Sequence, residues 1–211
     1  MSDLTPHEAS GVMTSEAPTT PEPPAKKKNH RRRIFIEWVA ILVVAVLVSF
    51  LLRTFAFQTF FIPSGSMEPT LQVGDRIIVN KLAVSLGTIN VGDIVVFRAP
   101  PAENCDPGNP VTDLVKRVVG IPGDSLKSSG NTILIKEPSQ TQFHALVESW
   151  THAEPLGEAI TPITLKKNQY FMVGDNHSDS CDSRTWGTVP RSDIIGKAFV
   201  RIWPLSRIGF L

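Results

Sequence analysis

Residues 74–81 read GDRIIVNK, in which a Gly-Asp turn leads into β-branched residues that favour an extended strand. Residues 92–98 repeat the arrangement as GDIVVFR. Further short strands are predicted from apolar or alternating runs at residues 114–119, 132–135, 170–173 and 198–203. The 17 prolines of this 211-residue chain also favour short strands and turns over long helices. We therefore predict an all-β, barrel-like domain of short antiparallel strands.

Residues 34–52 form the only apolar run of membrane length, and as a helix they can cross a hydrocarbon core of about 30 Å. Basic residues are dense between Lys26 and Arg33, whereas Arg53 alone immediately follows the run. This asymmetry predicts a cytoplasmic N-terminus and an outward-facing remainder. A cleaved secretory signal is the alternative, but the run is too long for one and its end lacks a clear small-x-small cleavage pattern. We predict one uncleaved transmembrane helix in the plasma membrane.

The sequence divides into three parts. Residues 1–33 are rich in Pro, Thr, Glu, Ser and basic residues, so we predict a disordered cytoplasmic tail. Residues 34–53 are the anchor, and residues 54–211 form the extracytoplasmic domain, with a small insertion at about 125–167. The phenylalanine-rich residues 54–62 suit either a core strand or a surface on the bilayer interface. Either structure keeps the start of the extracytoplasmic domain near the membrane.

Composition excludes several kinds of function. A formal net charge of +1 offers no electrostatic case for binding nucleic acid. The two cysteines and five histidines do not form a zinc-ligand pattern, so we expect no metal and no cofactor. His177 follows Gly-Asp-Asn and is predicted to be a surface-turn histidine.

Ser66, in PSGSMEPTL at residues 63–71, is a candidate nucleophile, but a serine needs a base to remove its proton. On a strand, Lys116 shares a face with Leu114 and Val118, while Arg117 points the other way. Desolvation by apolar neighbours would lower the lysine pKa from roughly 10.4 by about three units, to where the amine acts as a base. Taken alone, the Lys-Arg pair suits a solvated edge strand equally well.

Four segments, in this order, resemble the conserved segments of bacterial type I signal peptidase. They are PSGSMEPTL at 63–71, GDRIIVNK at 74–81, KRVVGIPGD at 116–124 and GDNHSDSCDSRTWG at 174–187. The resemblance implies a membrane-anchored serine endopeptidase that removes signal peptides from exported preproteins. Its substrates would carry small residues at positions −1 and −3 before the cut. Its partners would be these preproteins and membrane lipid, with no nucleic acid.

The resemblance also implies roles for individual residues. Ser66 matches the nucleophile and Lys116 the general base. Ser64 matches a hydroxyl of the oxyanion hole, and Ser180 matches the hydroxyl that orients the lysine amine. The residues that match positions supporting the geometry of the site are Gly174, Asp175, Asp182 and Arg184.

The cysteines depart from the family pattern, because Cys181 follows Ser180 where the family often has alanine. An exported domain permits disulfides. A bridge between Cys105 and Cys181 would join the segment before Lys116 to the segment that orients it, and the chain-entropy model gives it roughly 4 kcal/mol. Two free thiols are the alternative.

Three other functions compete with the peptidase. A sortase-type cysteine transpeptidase would use Cys181 with His177 and Arg184, but its Thr-Leu-x-Thr-Cys signature is absent. A LexA-like self-cleaving repressor shares serine–lysine chemistry, but not a membrane span. A catalytically silent tethered binding module would leave Ser64, Ser66, Lys116 and Ser180 unexplained.

Overall fold

The computed structural model describes residues 28–103, 105, 112–151 and 155–211, without the side chains of residues 28–29 and 52–55. The long N-terminal helix α1 covers Lys28–Ala56. Within it, His30–Leu51 is long and apolar enough to cross a membrane, as predicted. Of the predicted disordered tail, residues 1–27 lie outside the described residues, whereas residues 28–33 belong to the helix. No proline or glycine separates these residues from the apolar run, and Lys and Arg are good helix formers.

The rest of the described chain is dominated by short strands, so the all-β prediction is confirmed. The strands are β1 Phe57–Phe61, β2 Arg76–Asn80, β3 Ile94–Arg98, β4 Asp113–Gly120, β5 Ser125–Ser129, β6 Thr132–Lys136, β7 His144–Ala145, β8 Ile163–Thr164, β9 Gln169–Val173, β10 Val189–Pro190, β11 Ile194–Trp203 and β12 Gly209–Phe210. The short helices are α2 Leu82–Ser85 and α3 Ser183–Trp186, and the 3₁₀ turns are His177–Asp179, Arg191–Asp193 and Leu205–Arg207.

Eight strands form the main sheet, in the order β1-β2-β11-β3-β4-β9-β10, with β12 paired to β11. The strands predicted from residues 74–81 and 92–98 are β2 and β3. Strand β4 is central, because it pairs antiparallel with β3 on one side and with β9 on the other. Lys116 and Arg117 therefore lie in the interior of the sheet, not on the solvated edge strand that was the alternative.

A second sheet, in the order β7-β6-β5-β8, is built from the chain between β4 and β9. Its strands fall within the predicted insertion at residues 125–167. Strand β5 reads SLKSS, which carries little apolar signal, and this explains why sequence patterns missed it. It forms because it pairs with the more apolar β6 over its whole length. Leu126 of β5 and Ile133 of β6 are fully buried.

Three apolar clusters set the positions of the loops that matter for function. One contains Ile62, Met67 and Leu71, so the loop between β1 and β2 is fixed by core packing on both sides of residue 66. Another contains Val118 of β4. Close packing of this kind restricts the backbone and the rotamers of the neighbouring polar side chains.

Candidate active site

Ser66 lies in the loop between β1 and β2 and is 9% exposed. Its backbone carbonyl accepts a hydrogen bond from the amide N–H of Asn176 at 3.1 Å. The Asn176 side chain also donates to the carbonyl of Gly65, at 3.3 Å. Sequence reasoning did not single out Asn176, although it lies inside the GDN motif. The 174–187 segment thus holds the candidate nucleophile through its main chain.

Lys116 reaches Ser66 from β4, and its Nζ lies 2.6 Å from Ser66 Oγ. The lysine is only 3% exposed. Burial lowers its pKa from 10.5 to about 8, because desolvation disfavours the ammonium; Asp182 partly offsets this shift and Arg184 adds to it. A buried amine with a lowered pKa, in contact with a serine hydroxyl, is the arrangement that general-base chemistry requires.

A cavity of about 480 Å³ opens onto both side chains. Ser64, the predicted oxyanion donor, lines the same cavity as Ser66 and Lys116. Leu114 and Cys181 form part of its wall. The candidate nucleophile, base and oxyanion hydroxyl therefore face one space in which a substrate carbonyl can sit.

Gly174 is predicted to support the site, and the structure gives a steric reason for a glycine. A Cβ at this position would collide with Ser180 Oγ and with the carbonyl oxygen of Ser66. Its amide N–H donates to Asp182 Oδ2 at 3.1 Å. The backbone of residue 174 thus approaches the Ser66 loop more closely than any side chain would allow.

Asp182 and Arg184 form a second support. Arg184 donates to the Asp182 carboxylate through Nε and Nη2, both at 2.7 Å. Arg184 also donates to the carbonyl of Ser180 at 3.1 Å and to the carbonyl of Leu156. The buried ion pair therefore fixes the backbone at Ser180 from one side.

Ser180 does not form the contact that the resemblance implies. Its Oγ is buried and has no hydrogen-bond partner among the described residues. Lys116 Nζ forms its hydrogen bond with Ser66 instead. The Ser180 side chain nevertheless lies next to Gly174, at the other end of the same loop segment. The role of Ser180 in orienting the lysine amine therefore stays a prediction.

Asp175 is held by Arg117, whose Nε and Nη2 donate to its two carboxylate oxygens at 2.7 and 2.6 Å. The Thr70 hydroxyl donates to the same carboxylate. Arg117 points away from Lys116, as strand alternation predicts, but it is buried rather than solvated. Sequence reasoning missed its role and that of Thr70, although both lie within the quoted motifs.

Cys105 and Cys181 are paired, with Cα atoms 6.2 Å apart. This separation is in the range that a disulfide spans. Together with Glu103 they form the one group of three potential metal ligands among the described residues. Sulfur atoms bonded to each other are not available as thiolate ligands, so the cluster offers no metal centre in this form.

The prediction of a surface-turn histidine at position 177 was wrong. His177 is 5% exposed, and its Nε2 lies 3.3 Å from Glu148 Oε1. The pair is within ion-pair distance but is not aligned as a hydrogen bond. The insertion covers this turn, which the local sequence GDNHSDS gave no reason to expect.

Comparison with known proteins gives consistent results. A family model described as signal peptidase, peptidase S26, matches residues 35–203. The chain is 36% identical over 186 residues to the probable signal peptidase I-2 of Synechocystis sp., covering 88% of this chain and 81% of that protein. It is 34% identical to the signal peptidase I of Leptolyngbya laminosa, covering 93% and 95%. It is 31% identical to the signal peptidase I T of Bacillus subtilis, covering 93% and 98%.

A solved structure of a signal peptidase I from Enterococcus faecalis V583 is also similar. It has a TM-score of 0.39 and 23% identity, and the match covers 52% of this chain and 96% of that chain.

Proposed function

The chain belongs to the signal peptidase family, peptidase S26, and from this membership we propose that it cleaves signal peptides from exported preproteins with Ser66 as nucleophile and Lys116 as general base. The observation that carries the proposal is the contact of 2.6 Å between Lys116 Nζ and Ser66 Oγ at a buried site. The lowered pKa of the lysine supports it further, because the neutral amine is then accessible near pH 8.

The mechanism follows from this pair. The neutral amine of Lys116 takes the proton of Ser66 Oγ while the oxygen attacks the carbonyl carbon of the scissile bond. The same ammonium then protonates the departing amine, which becomes the new N-terminus of the mature protein. Water hydrolyses the resulting acyl-enzyme, with Lys116 again acting as the base. One side chain thus serves as base and acid in turn.

Negative charge develops on the carbonyl oxygen during this attack and requires preorganised donors. The backbone N–H of Ser66 and the hydroxyl of Ser64 are the proposed donors, supported by the cavity that they share. Four residues are proposed to act indirectly, because their hydrogen bonds hold the backbone segments around the cavity. They are Gly174, Asp175, Asp182 and Arg184.

The substrate is proposed to be an extended segment with small residues at positions −1 and −3. An extended peptide can bind by pairing with an exposed strand, which leaves shallow pockets to select its side chains. The apolar walls that Leu114 and Val115 give to the cavity suit small apolar groups.

The helix His30–Leu51 fits membrane anchoring. We infer the plasma membrane as the location, with the N-terminus in the cytoplasm and the catalytic domain outside, because basic residues precede the span. The same proposal divides the chain into a cytoplasmic tail that ends at residue 33, an anchor that ends at residue 53, and a peptidase domain with an insertion at about residues 125–167.

The competing functions have less support. A sortase-type mechanism needs a free thiolate at Cys181, which is paired with Cys105. A LexA-like repressor does not account for a family match that extends over residues 35–203. A silent binding module leaves the buried contact between Lys116 and Ser66 unexplained.

The decisive experiment incubates the detergent-solubilised full chain with a preprotein. Wild type is expected to release the mature protein, while Ser66→Ala and Lys116→Met each lose cleavage and remain folded. The double variant is expected to lose no more than either single one, because the two residues act as a unit. Retained cleavage in Ser66→Ala, with loss on alkylation of Cys181 after reduction, would favour the sortase mechanism.

A further inference from the structure

One segment of the insertion between β4 and β9 packs against residues that support the proposed active site. We refer to residues 146–151 as the strap. It begins where the amide of Leu146 donates to the carbonyl of Ile133 on β6, at 2.8 Å. It ends in a turn in which the Thr151 hydroxyl donates to the carbonyl of Glu148, at 3.5 Å. The strap is therefore tied to the second sheet while its side chains reach the first.

Trp150 of the strap covers Arg117. The guanidinium carbon lies 4.6 Å from the centre of the indole ring, which is a cation–π distance. The ring also lies against Gly92, where an added Cβ would be 3.7 Å from it. The carbonyl of Gly92 accepts a hydrogen bond from Arg117 Nη1 at 2.7 Å. Trp150 thus covers the side of Arg117 that hydrogen bonds leave open.

Arg117 links this cover to the reacting residues. It follows Lys116 directly on β4, and it holds Asp175 by two charge-assisted hydrogen bonds. Asp175 in turn lies between Gly174, which closely approaches Ser66, and Asn176, which binds the carbonyl of Ser66. A buried ion pair depends on the exclusion of water, because water weakens the attraction and competes for the hydrogen bonds.

The strap makes a second contact with the same segment. Its Glu148 faces His177, the residue after Asn176, at 3.3 Å, and both side chains are largely buried. The segment from 174 to 177 is therefore held between the Ser66 loop on one side and the strap on the other.

We propose that Trp150 is a positioning residue of the active site, which acts through Arg117 and Asp175 to hold Ser66 and Lys116 at reacting distance. It shields the ion pair from water and touches neither nucleophile nor base. The inference rests on the proposed function for its kinetic effect, but its structural consequence is measurable without any substrate.

The test compares Trp150→Ala, Trp150→Leu and Trp150→Phe in the full-length, detergent-solubilised protein. Leucine keeps apolar volume without an aromatic face, and phenylalanine keeps the face. Phe143→Ala is the matched control, because Phe143 lies in the same insertion and stacks under Lys127 at 4.5 Å, and it does not line the active-site cavity. Thermal unfolding identifies any variant that does not fold.

Two quantities are measured. The first is kcat and KM for preprotein cleavage. The second is the pH dependence of trace acetylation of the Lys116 amine, read by peptide mass spectrometry, which reports the pKa of that amine and needs no preprotein. If the wild type fails to cleave any preprotein, the proposed function is wrong, and the acetylation curves still decide the role of Trp150.

Trp150→Ala and Trp150→Leu are expected to lower kcat about tenfold with little change in KM. Their acetylation midpoint for Lys116 should move upward, because a loosened site readmits water to the ammonium. Trp150→Phe and Phe143→Ala should resemble wild type in both measurements. In a double-mutant cycle, adding Trp150→Ala to Arg117→Lys should lower kcat no further than Arg117→Lys does alone.

The opposite results overturn the proposal. Wild-type kcat and an unshifted midpoint in Trp150→Ala would show that the indole has no positioning role. An equal loss in Phe143→Ala would assign the effect to the insertion as a whole. Additive losses in the cycle would show that Trp150 does not act through Arg117.

Discussion

At the residue scale, the proposed mechanism depends on the neutral form of the Lys116 amine. With a pKa of about 8, the fraction of free amine rises tenfold per pH unit up to that value and then levels off. We expect kcat/KM to follow this curve, with an acidic limb centred near pH 8. A pH–rate profile measured between pH 6 and 10 checks this. A limb near pH 6 would instead indicate a histidine as the base.

The same shift has a cost in stability. Below pH 8 the folded protein carries a buried ammonium, and the fall from 10.5 to about 8 corresponds to roughly 3 kcal/mol. Between these two values the unfolded chain binds more protons, so this penalty shrinks as the pH rises. Lys116→Met is therefore expected to be more stable than wild type at pH 7, by up to about 3 kcal/mol, and the difference should narrow by pH 9.5. Thermal unfolding of both proteins at the two pH values measures this difference in stability. A difference that does not change with pH would contradict the lowered pKa of Lys116.

Gly174 provides a steric prediction. Gly174→Ala forces the added methyl into Ser180 and the Ser66 carbonyl, so the loop that carries Ser66 must move. We expect a loss of cleavage of about 10²-fold, because a misplacement of roughly 1 Å at reacting groups can cost that much. Gly130→Ala is the control, since nothing lies within 4 Å of the Cβ position there and only its turn conformation is strained. Comparable losses in both variants would argue against a special approach at Gly174.

The sequence predicts the direction of these side chains better than it predicts their burial. Alternation along a strand was enough to place Lys116 and Arg117 on opposite faces. It was not enough to show that both faces are buried, because burial of Arg117 depends on Asp175, which lies 58 positions further along the chain. His177 was misassigned for the same reason, since the group that covers it comes from the insertion.

At the scale of elements, strands with strong apolar patterns were predictable and the others were not. Strands β2, β3 and β9 follow from β-branched or apolar runs. Strand β5 is polar and forms only through its partner β6, so nothing local predicts it. The start of α1 at Lys28 was missed because basic residues were assigned to the tail by composition, although their helix propensity is high.

The pair Cys105 and Cys181 links two elements, the chain before β4 and the loop before α3. Closing a loop with a sequence separation of 76 stabilises the fold by roughly 4 kcal/mol in the chain-entropy model. Peptide mass spectrometry without reductant should recover the two cysteine peptides as one species. Cys105→Ser should lower the midpoint of thermal unfolding, and adding Cys181→Ser should lower it no further. Separate peptides from protein purified without reductant would leave two free thiols instead.

At the scale of the whole molecule, function requires that the catalytic domain and the preprotein cleavage site lie on the same side of the membrane. The basic residues between Lys26 and Arg33 are expected to keep the N-terminus inside. In intact cells, a protease added outside should then degrade an epitope fused after Leu211 and spare one fused before Met1. Cells opened with detergent provide the control, in which both epitopes must be lost. Protection of the C-terminal epitope in intact cells would reverse the orientation, and would place the Ser66–Lys116 pair where exported preproteins do not present their cleavage sites.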